Sequence, residues 1–270
     1  MHLVSYTSGA DGTRVGIEVE GAVHPTAYRD MVDFIVDGEA ALDRAREAVA
    51  LGRTESNARL LAPLPRPGKM LFLGRSFREF RPGLDDDVEP FVYSRVPSSV
   101  VGPGEAISVP EPDATLLYEG ELLIVVGRPL KRADPGEAMA AVFGYTQVND
   151  VTWTNWLESP HGGPPQICLC KNADTFCPMG PYIATADSFD PSDVAFSVTV
   201  NGEQVMKAST SGLVWSIGRV LEFLSRSMTL LPGDVIATGT PAAGPIVAGD
   251  SVTVSFDGLG ELTNPVAAAW

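Results

Sequence analysis

The stretch Tyr118-Glu119-Gly120-Glu121-Leu122-Leu123-Ile124-Val125-Val126 sets two acids at the mouth of an apolar strand. Successive side chains of an extended chain point to opposite faces, so Glu119 and Glu121 share one face. Gly120 between them leaves room for another group to approach closely. Two neighbouring carboxylates repel, and keeping both charged in apolar surroundings costs on the order of several kcal/mol. A proton, a cationic side chain or a metal ion can each remove that cost. Which of the three does so decides what the chain does.

Outward from this run, the strand pattern continues downstream over 142–150. Asn201-Gly202, between 196–200 and 204–206, is the strongest hairpin signal in the chain, and Asp257-Gly258 turns a second hairpin between 251–256 and 259–262. Leu213, Val214, Ile217, Val220, Leu221 and Leu224 fall on one helical face and predict an amphipathic helix over 211–225. A short helix is expected over 135–139. Upstream, 70–74 and 91–96 read as strands, separated by a turn and by the acidic loop Asp85-Asp86-Asp87. Pro63, Pro65 and Pro67 forbid a helix through 62–68, and the domain boundary is placed there. Residues 1–64 then form a small N-terminal α+β domain and residues 65–270 a β-rich domain of mixed α/β class. Within the first, Asp11-Gly12 predicts a hairpin turn, and two helices follow, the second capped by Asp37 and ended by Gly52.

With 19 Lys and Arg against 34 Asp and Glu, the formal charge of −15 repels phosphate backbones and anionic lipid surfaces. Nucleic-acid and membrane partners are therefore not expected, and a small-molecule substrate is. No apolar run approaches the roughly 18 residues a membrane helix needs, and the N-terminus lacks a basic region followed by an apolar core. A cytoplasmic location follows as an expectation. Cys168, Cys170 and Cys177 are too few for a disulfide framework and read as buried thiols.

Glu119, Glu121 and Asp150 make an oxygen-only donor set drawn from two strand regions. Hard cations such as Mg²⁺ and Mn²⁺ prefer that set, whereas zinc or copper would recruit His or Cys. Taken one by one, the same acids also describe an exposed pair at a strand start and an Asp capping a turn. Lys171 follows the Cys-containing segment, read as a strand. Near a metal it would stabilise an enolate or oxyanion, and in isolation it reads as a solvated surface charge. Gly239-Thr240-Pro241 offers a hydroxyl and backbone N–H groups to an anionic ligand, or forms an ordinary turn.

Taken together, several ordered segments resemble the fumarylacetoacetate hydrolase family from about Lys69 to Pro265. They are 118–128, Gly144-Tyr145-Thr146-Gln147-Val148-Asn149-Asp150-Val151, Lys171-Asn172-Ala173-Asp174 through Pro181, Asn201-Gly202-Glu203, 231–241 and 258–264. The resemblance implies a β-roll in which Glu119, Glu121 and Asp150 bind Mg²⁺ or Mn²⁺. It further implies that Lys171 reaches the substrate, that Thr240 helps hold its carboxylate or oxyanion, and that the substrate carries a 2-oxo acid or 1,3-dicarbonyl unit. A homodimer is the expected assembly.

Two departures from the family pattern bear on chemistry. Where the family has Gly-Leu-Asn-Tyr and then a general-base His, this chain has Gly74-Arg75-Ser76-Phe77-Arg78-Glu79-Phe80, with Phe80 at the His position. Where it has Ser-Ala-Arg-Asp, this chain has Thr152-Trp153-Thr154-Asn155, so a substrate-binding Arg is missing. His161, in the loop between Asp150 and Lys171, is the candidate replacement base, and Glu79 is a weaker one. Arg75, Ser76 and Arg78 in this turn, together with Gly239 and Thr240, are the candidate substrate-binding residues. The resulting expectation is a metal-dependent lyase or isomerase that decarboxylates, tautomerises or cyclises a β-dicarbonyl or 2-oxo acid, in a role suited to biosynthesis. The alternatives are a carbon–carbon hydrolase of the acylpyruvase type, with His161 or Glu79 activating water, and a non-catalytic binding or scaffold protein on the same fold.

Overall fold

The strand Gly120–Val126 is buried along its whole length because both faces of its sheet are covered. The computed structural model of the chain describes residues 1–9, 12–80, 88–157 and 163–269. Its main sheet runs in the order Ala22–Pro25, Thr13–Val19, His2–Thr7, Cys177–Thr185, Val142–Asn149, Gly120–Val126, Val235–Ala237, Met70–Gly74, Phe91–Arg95. Along this path only Val235–Ala237 and Met70–Gly74 pair in parallel.

On one face, Leu122, Ile124 and Val126 share a core with Val198, Val254 and Phe256 of a five-stranded sheet. On the other, Leu123 and Val125 pack with Met31, Phe34 and Ile35 of one helix and Ala41 and Ala45 of the next. A strand enclosed on both sides needs an unbroken apolar run rather than an alternating one, which is what 122–126 supplies. The first 64 residues enter the same sheet, since His2 and Leu3 pair with Ala184 and Ile183. At Gly120 a Cβ would lie 2.7 Å from Val198 Cγ2 and 3.3 Å from Val254 Cγ1. The group that approaches Gly120 is therefore the second sheet, and the glycine sets how closely the two layers meet beside the acids.

The β-rich architecture is as expected, and the hairpin at Asn201-Gly202 has both turn residues at positive φ, 53° and 80°. Three local expectations are corrected. Asp37 does not cap the second helix: it is the last residue of Met31–Asp37, whose own cap is Asp30, accepting from the Val32 and Asp33 N–H groups. Gly38, at φ 56°, makes the sharp join to Glu39–Ala50. The amphipathic helix starts at Ile217 rather than 211, because Ser216 caps it through the Arg219 N–H and 210–212 forms a 3-10 turn instead. Finally, Cys168 and Cys170 lie on a short helix, Ile167–Lys171, not a strand. Cys168 is exposed while Cys170 and Cys177 are buried. Asp11, Asp85, Asp86, Asp87 and His161 lie outside the described residues. Among the described residues no helix is long and apolar enough to cross a membrane.

Candidate functional site

Strand register brings the three acids together. Gly120 pairs with Asn149 across adjacent strands, and the Asp150 N–H donates to the Glu119 carbonyl at 2.8 Å. Glu119, Glu121 and Asp150 thereby each present an oxygen within 4.8 Å of the others. Glu121 and Asp150 are buried and Glu119 is half-buried. Glu119 accepts from the Thr152 hydroxyl at 2.5 Å, and Glu121 accepts from the Gly239 N–H at 2.8 Å.

Two cations and a phenol close on this cluster. Lys171 donates from Nζ to Asp150 Oδ2, to the Asp150 carbonyl at 3.1 Å and to Glu119 Oε2 at 3.0 Å. Arg95 Nε donates to Asp150 Oδ1, and the Tyr93 hydroxyl donates to Asp150 Oδ2. Lys171 is only 6% exposed, which corrects its reading as a surface charge. Burial alone would lower the Lys171 ammonium, but Asp150 and Glu119 outweigh it and hold the pKa above its usual value. Burial, reinforced by Asp150 and Glu121, drives Tyr93 well upward. Burial would raise Asp150 too, yet Arg95 and Lys171 hold it below the usual carboxylate range. Glu121 has no such compensation. Burial first, then Asp150 and Glu119, push it well above that range, opposed more weakly by Lys171 and the Gly239 N–H.

The count of charges decides what the site can hold. Three carboxylates face two cations, and Glu121, whose hydrogen-bond partner is a backbone amide, is the acid with no cation of its own, so that its charged form is disfavoured until a further cation arrives. A buried surplus charge is unfavourable unless neutralised, and oxygen-only donors at mutual contact suit a hard divalent cation. The residues present therefore fit a hard divalent cation.

The turns around the cluster show where the other candidates go. Ser76 is buried, and its hydroxyl donates to the Thr238 carbonyl. Gly239, at φ 85°, lies between Ser76 and Glu121, so that a Cβ there would collide with Ser76 Oγ and approach the Leu73 carbonyl oxygen to 2.9 Å. Gly239→Ala is accordingly expected to destabilise the fold by about 2–4 kcal/mol through strain and overpacking. Urea unfolding would measure it, and an unchanged midpoint would refute the tight fit. Thr240 is buried with its hydroxyl donating to the Ala242 carbonyl at 2.7 Å. Arg75 is exposed, with left-handed backbone at φ 57°.

Arg78 does not join the acids. Its guanidinium binds the 211–213 turn, reaching the Leu213 carbonyl at 2.9 Å. Glu79 is exposed on a 3-10 turn, Arg78–Phe80. At the position of the missing substrate Arg, the Thr154 hydroxyl donates to the Thr115 carbonyl at 3.2 Å; in the same segment Thr152 buttresses Glu119, and Asn155 accepts from the Thr115 N–H and donates to the Asp113 carbonyl. Tyr93, Arg95 and Thr152 are the site residues that reading the sequence missed. A signal for two of them existed: Tyr93 and Arg95 sit two apart on an apolar strand, and hence on one face.

The profile of the family described as "Fumarylacetoacetate (FAA) hydrolase C-terminal" matches residues 73–267. The chain belongs to the fumarylacetoacetate hydrolase family. It is 33% identical to "Oxaloacetate tautomerase fahd2, mitochondrial" of Xenopus laevis over 291 residues, covering 98% of this chain and 90% of that protein. Among solved structures of this fold, it is similar to 5-carboxymethyl-2-hydroxymuconate delta-isomerase from Mycobacterium smegmatis, with a TM-score of 0.82 and 33% identity over 100% of both chains. It is also similar to maleylpyruvate hydrolase from Sphingobium sp. SYK-6 in complex with manganese (II) ion and pyruvate, with a TM-score of 0.84 and 28% identity, again over 100% of both chains. The chain is thus an enzyme of a fumarylacetoacetate hydrolase family whose named relatives include tautomerases, isomerases and hydrolases.

Proposed function

We propose that this enzyme is a Mg²⁺- or Mn²⁺-dependent tautomerase or isomerase of 2-oxo acids, with oxaloacetate as the first substrate to test. The observation that carries the reading is the buried three-carboxylate cluster faced by the hydrogen-bond donors Lys171 and Tyr93. A divalent cation held by Glu119, Glu121 and Asp150 would supply a Lewis acid able to polarise a 2-oxo acid carbonyl. Lys171 Nζ supplies a fixed positive charge beside that position, of the kind that stabilises a developing oxyanion. Moving from enol to ketone releases the enol O–H proton, to solvent water, and delivers one proton to carbon, for which Lys171 Nζ and the Tyr93 hydroxyl are the protonated groups at hand. Hydrolysis would in addition need a base to activate water, and Phe80 stands where the resemblance places that base.

Support also comes from the oxaloacetate tautomerase and isomerase relatives, while the maleylpyruvate hydrolase keeps carbon–carbon hydrolysis as the second reading. The decisive experiment follows enol absorbance of oxaloacetate, and acid release from an acylpyruvate, with the same Mn²⁺-loaded enzyme. Accelerated enol loss, abolished by EDTA and restored by Mn²⁺, is expected. Fast acid release without any effect on the enol would overturn the proposal in favour of hydrolysis. The same reading takes the enzyme to be a cytoplasmic homodimer, to be tested by light scattering and by fractionation of the cells that make it.

A further inference from the structure

Arg95 ends the strand Phe91–Arg95, and its side chain has no solvent exposure. Its three donating nitrogens go to three different places. Nε donates to Asp150 Oδ1, Nη1 to the Lys171 carbonyl and Nη2 to the Val151 carbonyl at 2.7 Å. The guanidinium carbon lies 5.3 Å from the centroid of the Phe72 ring, which supports it from one side. One side chain thus joins an acid of the cluster, the backbone just past that acid and the backbone of the lysine.

We propose that Arg95 is a positioning residue that fixes where Lys171 stands relative to Asp150. The inference rests on the metal-dependent reading above. Lys171 is 21 residues from Asp150 in sequence and closes a helix of only five residues, so its placement depends on ties across the chain. Two of its three Nζ ties go to carboxylate oxygens, the groups a divalent cation also seeks, and the third goes to the Asp150 carbonyl. The Nη1 and Nη2 ties of Arg95 go to carbonyl oxygens and leave that competition aside. The same strand end makes a second tie to the lysine's helix. The Val96 N–H donates to Asn172 Oδ1 at 2.7 Å, and Asn172 Nδ2 donates to the Cys168 carbonyl at 2.9 Å. Only a planar fork can serve three acceptors spread in this way. A lysine offers one point charge on a flexible stem.

Arg95→Lys separates charge from geometry. It keeps a cation beside Asp150 and loses the span to the two carbonyls. Mn²⁺ binding, read by electron paramagnetic resonance, is expected to stay within about threefold of wild type, while kcat falls about 100-fold as Lys171 is misplaced. A wild-type kcat would overturn the proposal. So would a Mn²⁺ affinity that falls in step with kcat, since Arg95 would then act on the acids alone. Arg95→Gln, with near-ultraviolet circular dichroism to report folding, is the companion variant. If neither variant folds, Arg95 is a packing residue and the proposal fails. Wild-type enzyme that binds no Mn²⁺ would instead overturn the metal-dependent reading beneath it, so the two failures are distinct.

Discussion

Replacing Glu121 with glutamine is expected to abolish Mn²⁺ binding and turnover while raising the melting temperature of the metal-free protein. The opposite signs come from one fact. Glu121 is the acid of the cluster that pairs with a backbone amide rather than a cation, and burial together with Asp150 and Glu119 drives its carboxyl well upward. Glutamine is nearly the same shape, its oxygen can still accept the Gly239 N–H, and its amide can donate to the two remaining carboxylates. Removing a buried carboxyl that must either stay charged or take up a proton is worth about 1–2 kcal/mol, and a shift of about 2–8 °C in a chain of this size follows. A neutral amide is a poor ligand for a hard cation, so Mn²⁺ affinity should fall at least about 100-fold. Calorimetry of the metal-free pair and Mn²⁺ titration check the two halves separately. Retained Mn²⁺ affinity would remove Glu121 from the ligand set, and an unchanged or lower melting point would contradict the surplus charge.

The parts of this molecule that the sequence made legible are those governed by short-range pattern. The apolar run after Glu121 reads as a strand, which the structure encloses on both faces, and Asn201-Gly202 reads as a tight hairpin, because left-handed backbone at two successive positions selects those residues. The acids at 119 and 121 were legible for the same reason, one pleat apart. What local pattern did not carry depended on partners remote in sequence. Ile167-Cys168-Leu169-Cys170 alternates too briefly to separate helix from strand, and the structure makes it a helix that ends on Lys171. Asp37 has the chemistry of a cap, but Asp30 seven residues earlier starts the preceding helix and leaves Asp37 at its end. Arg78 reads as a substrate cation by proximity to the altered turn. In three dimensions the nearest acceptors are the carbonyls of a turn more than a hundred residues away. Arg95 reads as part of a plain strand, since nothing local says that Asp150 and the Lys171 carbonyl will converge on it.

Lys171→Met should invert the pattern expected for Glu121→Gln. The substitution removes a cation from a cluster already short of positive charge, leaving three carboxylates facing Arg95 alone. Breaking a buried pair by deleting one partner costs about 3–5 kcal/mol, so the metal-free variant should melt well below wild type. A divalent cation that binds only the folded state restores stability in proportion to its affinity, and that affinity should hold or rise once the competing ammonium is gone. Added Mn²⁺ should therefore raise the melting temperature of Lys171→Met by more than that of wild type, while it should raise that of Glu121→Gln hardly at all. Activity follows neither trend. If Lys171 Nζ holds charge on the substrate oxygen, its loss should lower kcat by about 10³-fold even with Mn²⁺ saturating and the fold restored, because a preorganised donor of this kind acts on the transition state. A variant that Mn²⁺ restores to full stability and full turnover alike would make the lysine a counter-ion for Asp150 and Glu119 and nothing more. The proton-handling role would then pass to Tyr93, which donates to the same Asp150 oxygen as Lys171.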